Sequence, residues 1–453
     1  MTLPNYFIAD LPPGATLSPV MIREACQTLK RNRLAYLAER STPRLIRALS
    51  ELAEDWLQPD FPFRQLALEL GPAATGFPVK TLANGLDSFF RRLTAENLRA
   101  LLVQDLGHAQ RLDAVSATGA EVESQRAALA TGPEMLVHIA AGNVPNPTLM
   151  SILLGLLTHS AQFVKCATGT SLLPRLFAHS LYQVEPKLAS CLEIAEWRGG
   201  NAMLEEALFA EADCVTVTGS DATIEEVRDH LPPRVRLLSY GHRVSFGYVT
   251  RDVLFGSNTR KVVAQAAADI IAWNQLGCLS PQVIYVENGG SVMPVQFATL
   301  LADELARREL DEPRGPVPTE VSVSIAARRN FYEVRAAGSE DTRLWCSPDS
   351  TAWTVVFETD PLFAVSCLHR FVFVKAASDL TEVLHAADAM RGCVSTVGLA
   401  ALEDKAPPLA TQLARWGVTR VCPLGQMQQP PLAWRHDGRP SLADLVTWTD
   451  WEQ

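Results

Sequence analysis

"MLVHIAAGNVPNPTLMSILLGLLTHSAQFVKCA", residues 135–167, decides the fold. An apolar run of strand length, "MLVHIAAG", stops at a loop rich in Gly, Asn and Pro. The apolar helix "PTLMSILLGLLTHS" follows, and the chain then returns to the strand "QFVKCA". Short continuous apolar strands separated by helices imply a parallel sheet covered on both faces. No Asp, Glu, Lys or Arg lies between Val137 and Val164. The loop "AGNVPNP" nevertheless leaves only about ten apolar residues after Pro147, and a membrane span needs roughly twenty. The stretch therefore reads as a buried strand, a loop and a buried helix, with no integral membrane span.

The alternation runs on as helix "SLLPRLFAHSLYQ", strand "CLEIAEW", helix "NAMLEEALFAEA", strand "DCVTVTG", helix "SDATIEEVRDHL" and strand "VRLLSYG". Sheets of this kind bind ligands beyond the carboxyl ends of their strands. The loops at Asn143, Lys165 and Gly219 all fall on that edge. Upstream, residues 1–130 read as helices. Pro19 and Pro43 stand in first turns behind Ser18 and Ser41 or Thr42, and Gly107 ends "TAENLRALLVQDLG". Downstream, "SNTRKVVAQAAADIIAWNQ" has one buried helical stripe, followed by the strand "QVIYVE". After "MPVQFATLLADELARREL", "DEPRGPVPTE" reads as a polar surface loop. The strands "TAWTVVFE" and "HRFVFVKAA" and the helix "DLTEVLHAADAM" complete a second unit. The expected division is 1–130 helical, 131–250 cofactor-binding, 251–410 catalytic and 411–453 a C-terminal segment.

At 453 residues the chain exceeds one ordinary core, and a net charge of −10 argues against a general nucleic-acid binder. The start, "MTLPNYFIADLPPG", lacks a basic region followed by an apolar core, so no secretory signal is expected. Nine scattered cysteines, none in a Cys-x-x-Cys pair, suit reduced thiols in the cytoplasm. No cluster of Cys and His suggests zinc.

One cysteine stands apart. In "WNQLGCLSPQV", Cys278 follows a glycine between a helical run and a strand. Such a thiol is either a small packed side chain or an attacking nucleophile that needs to stand clear of regular backbone. The preceding helix would turn its negative end toward it, which does not help form a thiolate.

"HIAAGNVP", "FVKCATGTSLLP", "VTVTGS", "LLSYGHRVSFGYV" and "WNQLGC…QVIYVE" occur in the order and spacing of the aldehyde dehydrogenase superfamily. More closely, "AGNVP", "SILLGLLTHSAQFVK", "SLLPRLFAHSL" and the ending "RVCPLGQMQQPPLAWRHDGRPSLADLV" resemble the long-chain acyl-CoA reductases of bacterial luminescence, the LuxC family. The likeness covers nearly the whole chain. It implies two doubly wound parallel-sheet domains, cofactor-binding and catalytic, behind a helical N-terminal region.

The resemblance also assigns roles. Cys278, after "NQLG", matches the nucleophile, and Asn143 matches the amide that faces the developing oxyanion, with the Cys278 N–H as second donor. Lys165 matches the lysine at the adenosine ribose. Gly219 and Ser220 match the helix start near the pyrophosphate. Three positions after Lys165, where many NAD-preferring relatives carry an acid, stands Thr168, so NADPH is favoured, with NADH as the alternative. The same residues have plainer readings: Asn143 as a turn residue, Lys165 as a solvated strand end, Gly219–Ser220 as a helix cap.

The departures matter as much. Ser239 stands where hydrolytic relatives carry the glutamate that activates water, so a thiol rather than water should resolve the acyl-enzyme. The glutamate that anchors the nicotinamide ribose has no clear counterpart in "FAVSCLHRFVF", and Glu358 lies far upstream. The implied function is reduction of a fatty acyl-CoA or acyl-carrier thioester to the aldehyde. The implied partners are an acyl-protein synthetase and an acyltransferase, and a homo-oligomer is expected. The competing readings are an aldehyde oxidiser releasing acid or acyl-CoA, an acyl-phosphate reductase, and an inactive subunit of a reductase complex.

Overall fold

The computed structural model describes residues 3–12, 14–140, 142 and 144–452; Asn143 lies outside the described residues. The chain forms two compact units, one of Met1–Thr75, Ala83–Gly241 and Pro431–Gln453, the other of Gly76–Leu82 and His242–Pro430.

In the first unit, the helices Pro19–Tyr36, Thr42–Leu57 and Ala95–Leu106 form where the proline and cap signals fall. Ser18 accepts the Met21 N–H, Thr94 accepts the Asn97 N–H, and Gly107 ends its helix at φ 76°. Each such cap is worth about 1 kcal/mol. Strand β1 (Arg126–Thr131) precedes the five parallel strands β2 (Met135–Ile139), β3 (Ala161–Cys166), β4 (Leu192–Glu196), β5 (Cys214–Thr218) and β6 (Arg236–Tyr240). Their order is β4-β3-β2-β5-β6, so the winding reverses between β2 and β5. Every residue of β2 and β3 is buried because helices cover both faces. Ile22, Cys26 and Leu29, one stripe of the helix Pro19–Tyr36, pack with Met135, Val137 and Phe163. Full burial of each large apolar side chain contributes roughly 1.5–3 kcal/mol. Within the sheet His138 shares hydrogen bonds with Thr216 Oγ1 (2.7 Å) and Gln162 Oε1 (2.9 Å), a polar tie that fixes the register of β5, β2 and β3.

The second unit holds β7 (Val244–Val249), β8 (Pro281–Glu287), β9 (Thr342–Cys346), β10 (Thr354–Glu358), β11 (Phe371–Ala377), β12 (Val394–Ala400) and β13 (Arg420–Pro423). They form one sheet in the order β13-β12-β7-β8-β11-β10-β9, parallel except for the antiparallel edge strand β9. β8 occupies the centre and is buried throughout. One face packs Val262, Ala266 and Ile270 of the helix Gly256–Ile271 against Ile284 and Val286. The final strand, β14 (Thr447–Glu452), belongs to the first unit and pairs antiparallel with β1.

"DEPRGPVPTE" is less superficial than its composition implies. Its Arg314 is buried, and Arg314 Nη1 donates to the Thr351 carbonyl (2.5 Å). Among the described residues, no helix is long and apolar enough to cross a membrane, and no group of three or more His, Cys, Asp or Glu is arranged to hold a metal ion.

Candidate active site

The helix before the candidate nucleophile stops at Ile271, seven residues short of Cys278. Trp273, Asn274 and Gln275 then follow with φ of 52°, 51° and 65°. Left-handed backbone costs a non-glycine residue roughly 1–2 kcal/mol, so three in a row need support. Trp273 is buried edge-on against Phe77, ring centroids 5.1 Å apart. Asn274 Nδ2 donates to the Arg314 carbonyl (2.9 Å), and Arg370 Nε donates to Asn274 Oδ1 (3.1 Å). Gln275 Nε2 donates to the Pro281 carbonyl (2.8 Å). Buried Arg370 is itself braced on Glu309 (2.7 Å) and the Glu312 carbonyl (2.8 Å).

This turn delivers Cys278 to the amino end of β8. The Ser280 N–H closes the tip on the Gly277 carbonyl (2.9 Å), and Ser245 Oγ, from β7, donates to the Cys278 carbonyl (2.7 Å). Cys278 is exposed, whereas the other eight cysteines are buried or half-buried. Burial pushes the Cys26, Cys166 and Cys191 thiols up to about 12 and Cys422 up to about 11, which keeps them protonated. Among the described residues, Cys278 is the one cysteine presented to solvent.

In the first unit the expected cofactor residues gather on the carboxyl edge, around the β2/β5 reversal. Lys165, next to last in β3, is buried. Its Nζ lies 4.0 Å from Glu205 Oε1 and over the Trp197 ring at 5.8 Å. Burial lowers its pKa and Glu205 offsets the shift. Thr168 is exposed on the following loop, which Glu196 pins by accepting the N–H groups of Gly169 (2.7 Å) and Ser171 (3.2 Å). Two acids missed in the sequence thus act here: Glu196 on the Thr168 loop and Glu205 beside Lys165. Their only local signal was an acid at the end of β4 and one in the helix Ala202–Phe209.

The Gly219 N–H donates to the Tyr240 carbonyl (3.2 Å). Ser220 caps the helix Asp221–His230 by accepting the Thr223 N–H (3.2 Å). The cap and a phosphate-facing helix start are compatible, since one cap leaves other first-turn amides for an anion. A buried ammonium beside a strand end, a small residue and a ten-residue helix start fit the ribose and pyrophosphate of a dinucleotide.

Ser239 is half-buried at the end of β6, and the C-terminal segment covers it. Arg439 Nη2 donates to the Ser239 carbonyl (2.7 Å), Arg439 lies over the Tyr240 ring at 4.7 Å, and His436 stacks on Tyr240 at 4.6 Å. Glu358, at the end of β10, is engaged by Lys375 (2.6 Å) and Arg335 (3.1 Å), both within the second unit. Asn143 lies outside the described residues.

Comparison with known proteins agrees with this architecture. The family described as acyl-CoA reductase (LuxC) matches residues 37–448. A long-chain acyl-protein thioester reductase of Aliivibrio fischeri is 24% identical over 325 residues, 70% of this chain and 64% of that protein. The chain thus spans just under two thirds of that relative's length. Among solved structures, a bifunctional proline utilization A protein superposes with a TM-score of 0.73 at 17% identity, over 98% of this chain and 46% of the other. An NADP-dependent glyceraldehyde-3-phosphate dehydrogenase of Bacillus halodurans, complexed with NADP, gives 0.71 at 14% identity over 96% and 92%. The fold is that of the aldehyde dehydrogenases.

Proposed function

Because the chain belongs to the acyl-CoA reductase (LuxC) family, we propose that it reduces a fatty acyl thioester to the aldehyde through an acyl group carried on Cys278. The observation that carries this reading is the single exposed cysteine on a braced turn at the amino end of β8. The Cys278 thiolate attacks the thioester carbonyl carbon, the bond to the departing sulfur breaks, and that thiolate leaves. Asn143 and the Cys278 N–H stabilise the oxyanion of the tetrahedral intermediate. When bound, a reduced nicotinamide cofactor supplies a hydride. Addition of that hydride and a proton leaves a thiohemiacetal on Cys278, whose collapse releases the aldehyde and restores the thiol.

Ser239 supports this outcome over hydrolysis, because a serine in place of a carboxylate offers no base to activate water. Lys165, Gly219 and Ser220 hold the ribose and pyrophosphate. NADPH is the favoured cofactor, since Thr168 places no carboxylate at the loop tip, while Glu205 tempers that preference by balancing Lys165. The acyl donor is a fatty acyl-CoA or an acyl group on a protein thioester, delivered by a synthetase and a transferase in the cytoplasm.

The test is one panel: acyl-CoA of graded chain length and an acyl-protein thioester, each with NADPH and with NADH, assayed for aldehyde. Aldehyde from thioesters is expected. Free acid formed from aldehydes without added thiol, and no aldehyde from any thioester, would overturn the reading.

A further inference from the structure

The ending "CPLGQMQQPP" has no role in the chemistry above, yet the second unit holds it with care. After β13, residues 424–428 turn back toward the last turn of the helix Gly256–Ile271. There Asp269, 2% exposed, accepts the N–H groups of Gly425 (2.5 Å) and Met427 (2.9 Å). Arg420 Nη1 and Nη2 donate to the carbonyls of Met427 (2.6 Å) and Gln426 (2.9 Å). At Gly425, φ is 87°, and a Cβ would lie 2.9 Å from Gln265. A buried acid at the carboxyl end of a helix is unfavourable twice, through lost hydration and through the helix dipole. Burial accordingly raises the pKa of Asp269 to about 7. What the arrangement returns is a fixed course for five residues of loop.

The loop ends on Gln428. Its Nε2 donates to Ser280 Oγ (2.8 Å), and its Oε1 would lie 3.1 Å from a Cβ placed on Gly277. Gly277 and Ser280 bracket Cys278 and close its turn. One side chain therefore holds the Ser280 end of the turn and lies beside the Gly277 end, while Ser245 braces its middle.

We propose that Gln428, set in place by Asp269 and Arg420, is a positioning residue that locks the Gly277–Ser280 turn so that the Cys278 thiol and N–H keep one orientation toward the thioester carbonyl. The inference rests on the acyl-cysteine reading above. It also explains why residue 277 is glycine, since any side chain there would press on the Gln428 amide.

The experiment uses the full chain, labelled acyl-CoA and no cofactor, and follows single-turnover transfer of label to Cys278 by peptide mapping. Gln428→Ala should slow transfer roughly tenfold to a hundredfold, the scale of a small misplacement of a reacting group. NADPH affinity and melting temperature should hardly change. Ser280→Ala should slow transfer similarly, and the double variant should be no slower than the slower single one, because both act through the same hydrogen bond. Undiminished transfer in Gln428→Ala, or losses that multiply in the double variant, would overturn the inference and leave the acyl-cysteine reading intact. Absence of label on Cys278 in the native protein would overturn both.

Discussion

The two sheets present their candidate groups at opposite ends of their strands. In the five-stranded sheet, Lys165, Gly219 and Ser239 lie at carboxyl ends, around the place where the winding reverses. In the seven-stranded sheet, Cys278 lies at the amino end of the central strand β8. The first location follows from topology, because a doubly wound parallel sheet opens a crevice at its reversal and aims helix starts at it. The second follows from no such rule. A left-handed run, a buried Asn–Arg contact and two braces from distant segments have to build it. A binding edge can thus be inherited from a fold, whereas a nucleophile's seat has to be constructed locally.

The largest effect that could break this contrast is at the constructed seat. Cys278→Ala should abolish aldehyde formation while cofactor affinity stays at the native value, because the nucleophile and the cofactor edge belong to different sheets. Parallel measurement of turnover and of NADPH binding decides it, and retained turnover would remove the covalent mechanism. Asn143→Ala should lower turnover by about a hundredfold or more with little change in melting temperature, as for other oxyanion donors. A purely structural asparagine would do the reverse.

A comparable effect, on stability, should come from the core of the first sheet. Burial holds the His138 imidazole down at about 4, against an ordinary value of 6.5, with the hydrogen bond to Gln162 opposing the shift in part. The native ring therefore stays neutral while the unfolded chain takes up a proton below pH 6.5. Stability falls as pH drops from 6.5 toward 4, by up to roughly 3 kcal/mol. His138→Gln keeps hydrogen-bonding capacity but does not titrate, so the gap in unfolding midpoint between pH 7 and pH 5 should narrow.

The smallest effects concern cofactor choice at the carboxyl edge. Thr168→Glu should weaken NADPH use more than NADH use. Glu205→Gln, which releases Lys165 from its partner at 4.0 Å, should favour NADPH. The Thr168→Glu shift should be about tenfold or less, because solvent and salt screen charges at an exposed loop. Equal losses for both cofactors in the Thr168→Glu variant, read by steady-state kinetics, would mean that Thr168 is not at the ribose.

Much of the fold was legible because β2, β3, β5 and the helices between them are continuous apolar segments with local stop signals. Thr94, Gly107 and Ser18 each state a helix boundary within a few residues of themselves. The edge strands β9 and β13 and the pair β1–β14 were not legible. β9 and β13 are half-buried or exposed beyond their first residues, β14 is exposed throughout, and β1 buries only alanines, so no apolar period marks them. β7, contiguous in sequence with β6, joins β8 and β12 in the other sheet, and nothing in "SYGHRVSFGYV" announces the change.

The same division applies to the candidate site. The amino-acid sequence by itself placed a glycine–cysteine bend between a helix and a strand and put a lysine at a strand end. These are properties of residue type and short spacing, which local backbone preference and hydrophobic period express directly. Only tertiary structure decided that Glu205 balances Lys165, that Glu196 pins the Thr168 loop, and that Ser245 and Gln428 hold the turn carrying Cys278. Ser245 and Gln428 stand 33 and 148 residues away in sequence from the turn residues they bond. Contacts of that range arise from the packing of whole elements, so no window short enough to read as a motif contains both partners.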